Sequence, residues 1–191
     1  MGCRAAEGLS EMLNKLFSDS PTGAKIWGPL SWLGVLVAIL AFVSDRLHKW
    51  WMLDVYAIEL RGKVEITSFF DLVMAWNKGV SYGLFQAESM GARAILIIFA
   101  LGVVTGLGLW LARMLHPIGA IALGLIIGGA IGNVYDRFAY GAVADFFSFH
   151  AFGFYWYIFN IADVWIVLGV GLILLESLYP RESGQDKQES E

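Results

Sequence analysis

Three stretches of this chain carry no charged residue at all: Ile26 to Ser44, Ala94 to Ala112 and Pro117 to Tyr135. Each is about the length that a helix rising about 1.5 Å per residue needs to cross roughly 30 Å of hydrocarbon. A fourth apolar stretch, from about Tyr155 to Tyr179, is interrupted only by Asp163 and by Glu176 near its far end. The chain is 58% hydrophobic and 16% charged, where a soluble domain carries about 25% charged residues. The expectation is therefore an α-helical integral membrane protein with four transmembrane helices. Trp27, Trp32, Trp50, Trp51, Trp110, Trp156, Trp165 and Tyr179 lie mostly near segment ends, as interfacial belts require.

An even number of spans puts both termini on one side. Arg4, Lys15, Lys25, Arg113, Arg181 and Lys187 would then face one way, and Arg46, Lys49, Arg61, Lys63, Lys78, Arg93 and Arg137 the other. Charge counting assigns no orientation to so even a split. The net charge of −4 is scattered with no basic stripe, which argues against a nucleic-acid partner. Cys3 is the only cysteine, so no intramolecular disulfide or cysteine-based metal site is expected. The start Met1-Gly2-Cys3-Arg4-Ala5-Ala6 lacks the Ser or Thr of a myristoylation signal, and no cleavable signal peptide is evident.

Between Trp50 and Met90 the pattern changes. Val64 to Phe70 and Leu72 to Trp76 are rich in β-branched and aromatic residues, and Asn77-Lys78-Gly79 reads as a turn. A small β-sheet on the membrane surface is expected over about 50–90, on the same side as a loop from Asp136 to Tyr155. Gly124, Gly128 and Gly132, and likewise Gly102 with Gly106, have the spacing that lets membrane helices approach closely.

Against this background two carboxylates stand out. Asp145 lies in Gly141-Ala142-Val143-Ala144-Asp145-Phe146-Phe147, and Asp163 in Phe159-Asn160-Ile161-Ala162-Asp163-Val164-Trp165-Ile166. A charge at membrane depth costs at least a few kcal/mol, so it usually persists because it performs a task. The third span arrives where the fourth departs, which sets both residues at similar depth. Two nearby carboxylates in low dielectric share one proton; the ionised one can deprotonate water while the neutral one donates to a carbonyl oxygen. Asn133, Asp136 and Arg137 share a face at the end of the third span, where an Asp136–Arg137 ion pair is expected; Asn160 stands three residues before Asp163. Asp45 and Lys49 read as a helix-end salt bridge, with a lipid headgroup phosphate as another partner for Lys49. His48, His116 and His150 have no ligand spacing, so no metal is expected. No Ser or Cys sits in an activating context. A small proton-coupled transporter using intramembrane Asp residues is the alternative; it predicts ionisable groups through the whole membrane thickness or an inverted repeat.

In order along the chain, these residues resemble the bacterial lipoprotein signal peptidases, the signal peptidase II family. Asp45 with Lys49 resembles its first-span motif, although Arg46 stands where Gln is common. Asn77-Lys78-Gly79-Val80-Ser81-Tyr82-Gly83 is similar to N-x-G-x-A-F-G. Gly128 to Arg137, then Gly141, Val143, Asp145 and Phe146, follow G-G-A-x-G-N-x-x-D-R and G-x-V-x-D-F, and Phe159 to Asp163 matches F-N-x-A-D.

The resemblance implies a membrane-embedded aspartic endopeptidase with Asp145 and Asp163 as its catalytic dyad. Asn133, Asp136, Arg137, Asn160 and Ala162 would shape the site, and Asn77, Gly79, Asp45 and Lys49 would support it or contact substrate. It further implies an inner-membrane enzyme, read as a monomer, with no cofactor. Residues 1–25 would form a cytoplasmic leader, 26–180 the four-span peptidase domain with its sheet and dyad at the periplasmic face, and 181–191 a cytoplasmic tail. The implied partners are membrane lipids and prolipoproteins cleaved just before a diacylglyceryl cysteine, with the cyclic peptide globomycin as inhibitor.

Overall fold

The computed structural model describes residues 27–79 and 89–178. Four helices in it are long and apolar enough to cross a membrane. The first, α1 (Ser31–Trp50), continues through a π-type turn (Trp51–Val55) into the short α2 (Ile58–Arg61). Strands β1 (Val64–Thr67) and β2 (Phe70–Asn77) follow, then α3 (Met90–Leu111) and α4 (Pro117–Ala139), strands β3 (Val143–Ala151) and β4 (Phe154–Tyr155), and α5 (Ile161–Leu178).

Helix α4 is the hub. Its apolar stretch is 56% buried, whereas that of α3 is 6% buried and so faces lipid almost all round. Small residues let α4 take this place. A Cβ on Gly124 would lie 2.5 Å from the Gly34 carbonyl oxygen of α1. Cβ atoms on Gly128 and Gly129 would collide with the carbonyl oxygens of Ala38 on α1 and Ala162 on α5. Gly132, expected to serve the same packing, lies instead against the Asp45 carboxylate, where a Cβ would be 2.7 Å from Oδ2. Gly102 and Gly106 depart from expectation, since nothing lies within 4 Å of either added Cβ. Helix α3 packs on the bundle through Val104, Leu107 and Leu111 instead, leaving those glycines on its lipid side.

Two span boundaries also differ from those read in the sequence. The first helix begins at Ser31, not Ile26, and runs past Ser44 to carry Asp45, Arg46, His48 and Lys49. The fourth begins at Ile161, because residues after Tyr155 stay extended to reach β3.

The sheet has the antiparallel order β1-β2-β3-β4. The turn between β1 and β2 falls at Ser68-Phe69, and Asn77 is the last residue of β2. The segment expected to be a loop from Asp136 to Tyr155 supplies β3 and β4. Asp145 is thus a strand residue, paired in register with Ala75 across a bulge in β2. Met52, Ile58, Ala144 and Phe146 form the core where the π turn and α2 meet the sheet. Phe146 and Phe147 both donate their amides to the Phe159 carbonyl, at 3.0 and 2.9 Å, and Phe159 donates back to Phe147 at 3.1 Å. This bridge sets the start of α5 against β3.

Candidate active site

The bridge at Phe159 brings Asn160, the residue before α5, beside Asp145. Asn160 is fully buried, and its side-chain nitrogen donates to Asp145 Oδ1 at 2.6 Å. Asn77, at the end of β2, donates to Asp145 Oδ2 at 3.1 Å. Asp163 is held by the same residue from the other side: the Asn160 amide donates to Asp163 Oδ2 at 3.2 Å, and the Asp163 amide donates to Asn160 Oδ1 at 3.1 Å. That reciprocal pair caps the helix, satisfying amides that an N-terminus leaves unpaired. Asn133 on α4 donates to Asp163 Oδ1 at 2.9 Å and accepts from Asn160 at 3.2 Å. Asn77, Asn133, Asp145, Asn160 and Asp163 therefore form one network, in which Asn160 touches both carboxylates.

Burial pushes the Asp145 carboxyl up to about 7; the Asn160 bond opposes this, the Asp163 charge adds to it, and the Asn77 bond opposes it again. Such a group holds a proton near neutrality.

Behind the network is a second polar cluster. Arg46 Nη2 lies 2.8 Å from Asp45 Oδ2 and 2.6 Å from Asp136 Oδ1. Lys49 Nζ lies 3.1 Å from Asp45 Oδ1 and 2.6 Å from Asp136 Oδ2. Two cations and two carboxylates alternate, so the cluster is neutral as a whole. Asp45, Lys49 and Asp136 are buried, and Tyr135 covers the Arg46 guanidinium at 4.7 Å. Each carboxylate also grips the backbone beside a candidate catalytic residue. Asp136 Oδ2 accepts the Ala144 amide at 3.2 Å, one residue before Asp145, and Asp45 Oδ1 accepts the Ala162 amide at 3.1 Å, one residue before Asp163.

This corrects two expectations. Asp136 does not pair with Arg137, because neighbours on a helix point about 100° apart. Arg137 instead donates to the Gly79 carbonyl at 3.0 Å and to the Asn133 carbonyl at 3.2 Å, so it ties the turn after β2 to α4. The Gly79 amide in turn donates to Asn77 Oδ1 at 3.1 Å. Lys49, read as a helix-end charge open to a headgroup, is 1% exposed and committed to Asp45 and Asp136. Val80-Ser81-Tyr82-Gly83 of the matched segment lie outside the described residues.

Two residues were missed. In the sequence, Arg46 stands out only as a departure from a motif. Tyr157 donates its hydroxyl to Asp163 Oδ2 at 3.2 Å. It stands in an extended segment whose sequence neighbours say nothing of α5, and only the Phe147–Phe159 bridge brings it there. Beside it is a groove of about 430 Å³, bounded by Trp156, Tyr157, Phe159 and the outer face of α5 at Val164 and Val167, with Asp163 in its wall.

Four spans, an antiparallel sheet and two carboxylates joined through a buried amide describe a polytopic membrane protein with a candidate acid–base pair. The family signal peptidase (SPase) II matches over residues 37–179. The lipoprotein signal peptidase of Nitrobacter hamburgensis is 49% identical over 148 residues, covering 75% of this chain and 90% of its own. That of Beijerinckia indica is 45% identical over 159 residues, covering 83% and 95%. Among solved structures, a bacterial membrane enzyme superposes with a TM-score of 0.67 at 25% identity, over 83% of this chain and 93% of its own. The chain belongs to the signal peptidase II family, whose members are proteases that remove signal peptides from prolipoproteins. The transporter alternative is not favoured.

Proposed function

We propose that Asp145 and Asp163 are the catalytic pair of this peptidase, and that its substrate is a prolipoprotein cut just before a diacylglyceryl-modified cysteine. The observation that carries the reading is the bonding of both carboxylates to the single buried residue Asn160. Asp145 holds the proton. Asp163 takes a proton from water as the oxygen attacks the scissile carbonyl, while Asp145 donates to the carbonyl oxygen. Collapse of the tetrahedral intermediate returns the Asp145 proton, and Asp163 passes its proton to the leaving amine. Asn133, Asn160 and Tyr157 orient Asp163. Asn77 and Asn160 orient Asp145. Arg137 fixes the Gly79 turn, and Asp45, Lys49 and Asp136, with Arg46, brace the backbone on which both Asp residues stand. Ala162 is small enough for α4 to approach.

A signal peptide is itself an apolar helix in the bilayer, and the groove at Val164 and Val167 opens toward lipid beside Asp163. Such a substrate reaches the site sideways, within the membrane. The protein works in the bacterial inner membrane as a monomer, with residues 1–25 and 181–191 cytoplasmic and the dyad at the periplasmic face. Globomycin inhibits it. The chemistry needs no metal, so turnover survives EDTA. The deciding experiment is incubation of the detergent-solubilised protein with purified prolipoprotein, with and without its diacylglyceryl group. Cleavage of the lipidated form alone is expected; equal cleavage of both would remove the lipid from the recognition element.

The raised Asp145 value sets a pH dependence. Protonated Asp145 is present below about 7 and lost above it, so kcat/KM falls as pH rises through about 7. A profile flat from pH 6 to 9 would show that Asp145 is not the acid.

A further inference from the structure

We propose that the tip of the β3–β4 hairpin is a membrane anchor, seated in the lipid interface on the dyad's side of the bilayer. The turn is built to expose an aromatic side chain. Phe152 adopts φ 52°, a left-handed conformation that bulky residues rarely take, followed by Gly153 at φ 81°. Phe152 is fully exposed at 109%, and Phe154 and Trp156 are exposed at 63% and 60%. With Phe69 and Phe149 they line an apolar depression of about 590 Å³. A contiguous exposed apolar surface of this kind marks an interaction site.

The surface runs on into lipid. Trp156 borders both this depression and the groove whose other wall is the membrane face of α5 at Val164 and Val167. The aromatic patch is therefore continuous with a surface that hydrocarbon already covers, and Phe and Trp side chains suit that boundary. The base of the hairpin is held firmly enough to place the tip. His150 Nε2 lies 2.9 Å from Asp71, its ring stacks on Tyr155 at 4.9 Å, and Lys63 lies 3.1 Å from the same carboxylate. Since β3 also carries Asp145, an anchored tip couples the height of the dyad to the bilayer surface. The inference needs only the spans; it stands whether or not the Asp residues are catalytic.

The test is a nitroxide label on Phe152→Cys in a Cys3→Ser background, reconstituted in phosphatidylcholine–phosphatidylglycerol vesicles. Glu65→Cys on β1, whose parent side chain is 75% exposed, is the aqueous reference. Collision with dissolved oxygen should exceed collision with a water-soluble nickel chelate at position 152, with the reverse at position 65. Phe154→Cys gives a second reading should Phe152→Cys fail to fold. Nickel accessibility at 152 and 154 equal to that at 65 would overturn the proposal. So would accessibility that is aqueous in vesicles alone and lost only when lipidated prolipoprotein is added, which would assign the tip to substrate.

Discussion

Asp145→Asn and Asp163→Asn are each expected to lower turnover by about 10⁴-fold while the protein still inserts and folds, the scale seen when one member of a concerted catalytic group is removed. Asparagine keeps the size of each side chain and one acceptor oxygen. Asp145→Asn can still accept from Asn160 or Asn77, and Asp163→Asn can still accept the Asn160 amide that caps α5. What each variant loses is the ability to hold and release a proton. Cleavage of lipidated prolipoprotein, normalised to protein that elutes as a folded species, is the measurement. An Asn variant that retained a tenth of wild-type turnover would exclude that residue from the chemistry.

The second large effect concerns stability. Asp136→Asn leaves Arg46 and Lys49 facing Asp45 alone, with an uncompensated charge in a buried site. Breaking a buried pair in this way costs about 3–5 kcal/mol, and for a chain of this size that corresponds to a fall in Tm of about 6–20 °C in detergent. Activity should fall as well, because Asp136 also holds the Ala144 amide beside Asp145. Sequence spacing points to Arg137 as the partner of Asp136, whereas the geometry gives that place to Arg46 and Lys49. An unchanged Tm for Asp136→Asn would mean that the four-charge cluster contributes nothing to stability.

The same cluster explains where the sequence misled. Hydropathy counts each charge separately, so a span holding Asp45, Arg46 and Lys49 looks as if it must end at Ser44. Neutralised by Asp136 on another helix, those residues stay inside and the helix continues to Trp50. Long-range compensation of this kind leaves no local pattern. The three uncharged stretches were legible because length and apolarity alone decide them. Asp145, Asp163, Asn133 and Asn160 were legible as sites of interest because polar residues in such surroundings need a reason to be there. Strand β3 was missed although Val143 to Phe149 is rich in β-branched and aromatic residues, a signal that could have found it. Tyr157 had no comparable signal. Its contact with Asp163 depends on a tertiary bridge that neither residue announces.

The proposal that Asp145 and Asp163 act as one catalytic unit on a single proton is tested most directly by the double variant Asp145→Asn/Asp163→Asn, assayed beside each single variant on lipidated prolipoprotein under single-turnover conditions. Groups that act as one unit do not contribute separately once either is gone. All three variants should therefore show the same residual rate, about 10⁴-fold below wild type. A double variant far slower than either single, with the two losses multiplying, would contradict a shared proton and leave Asp145 and Asp163 as independent contributors.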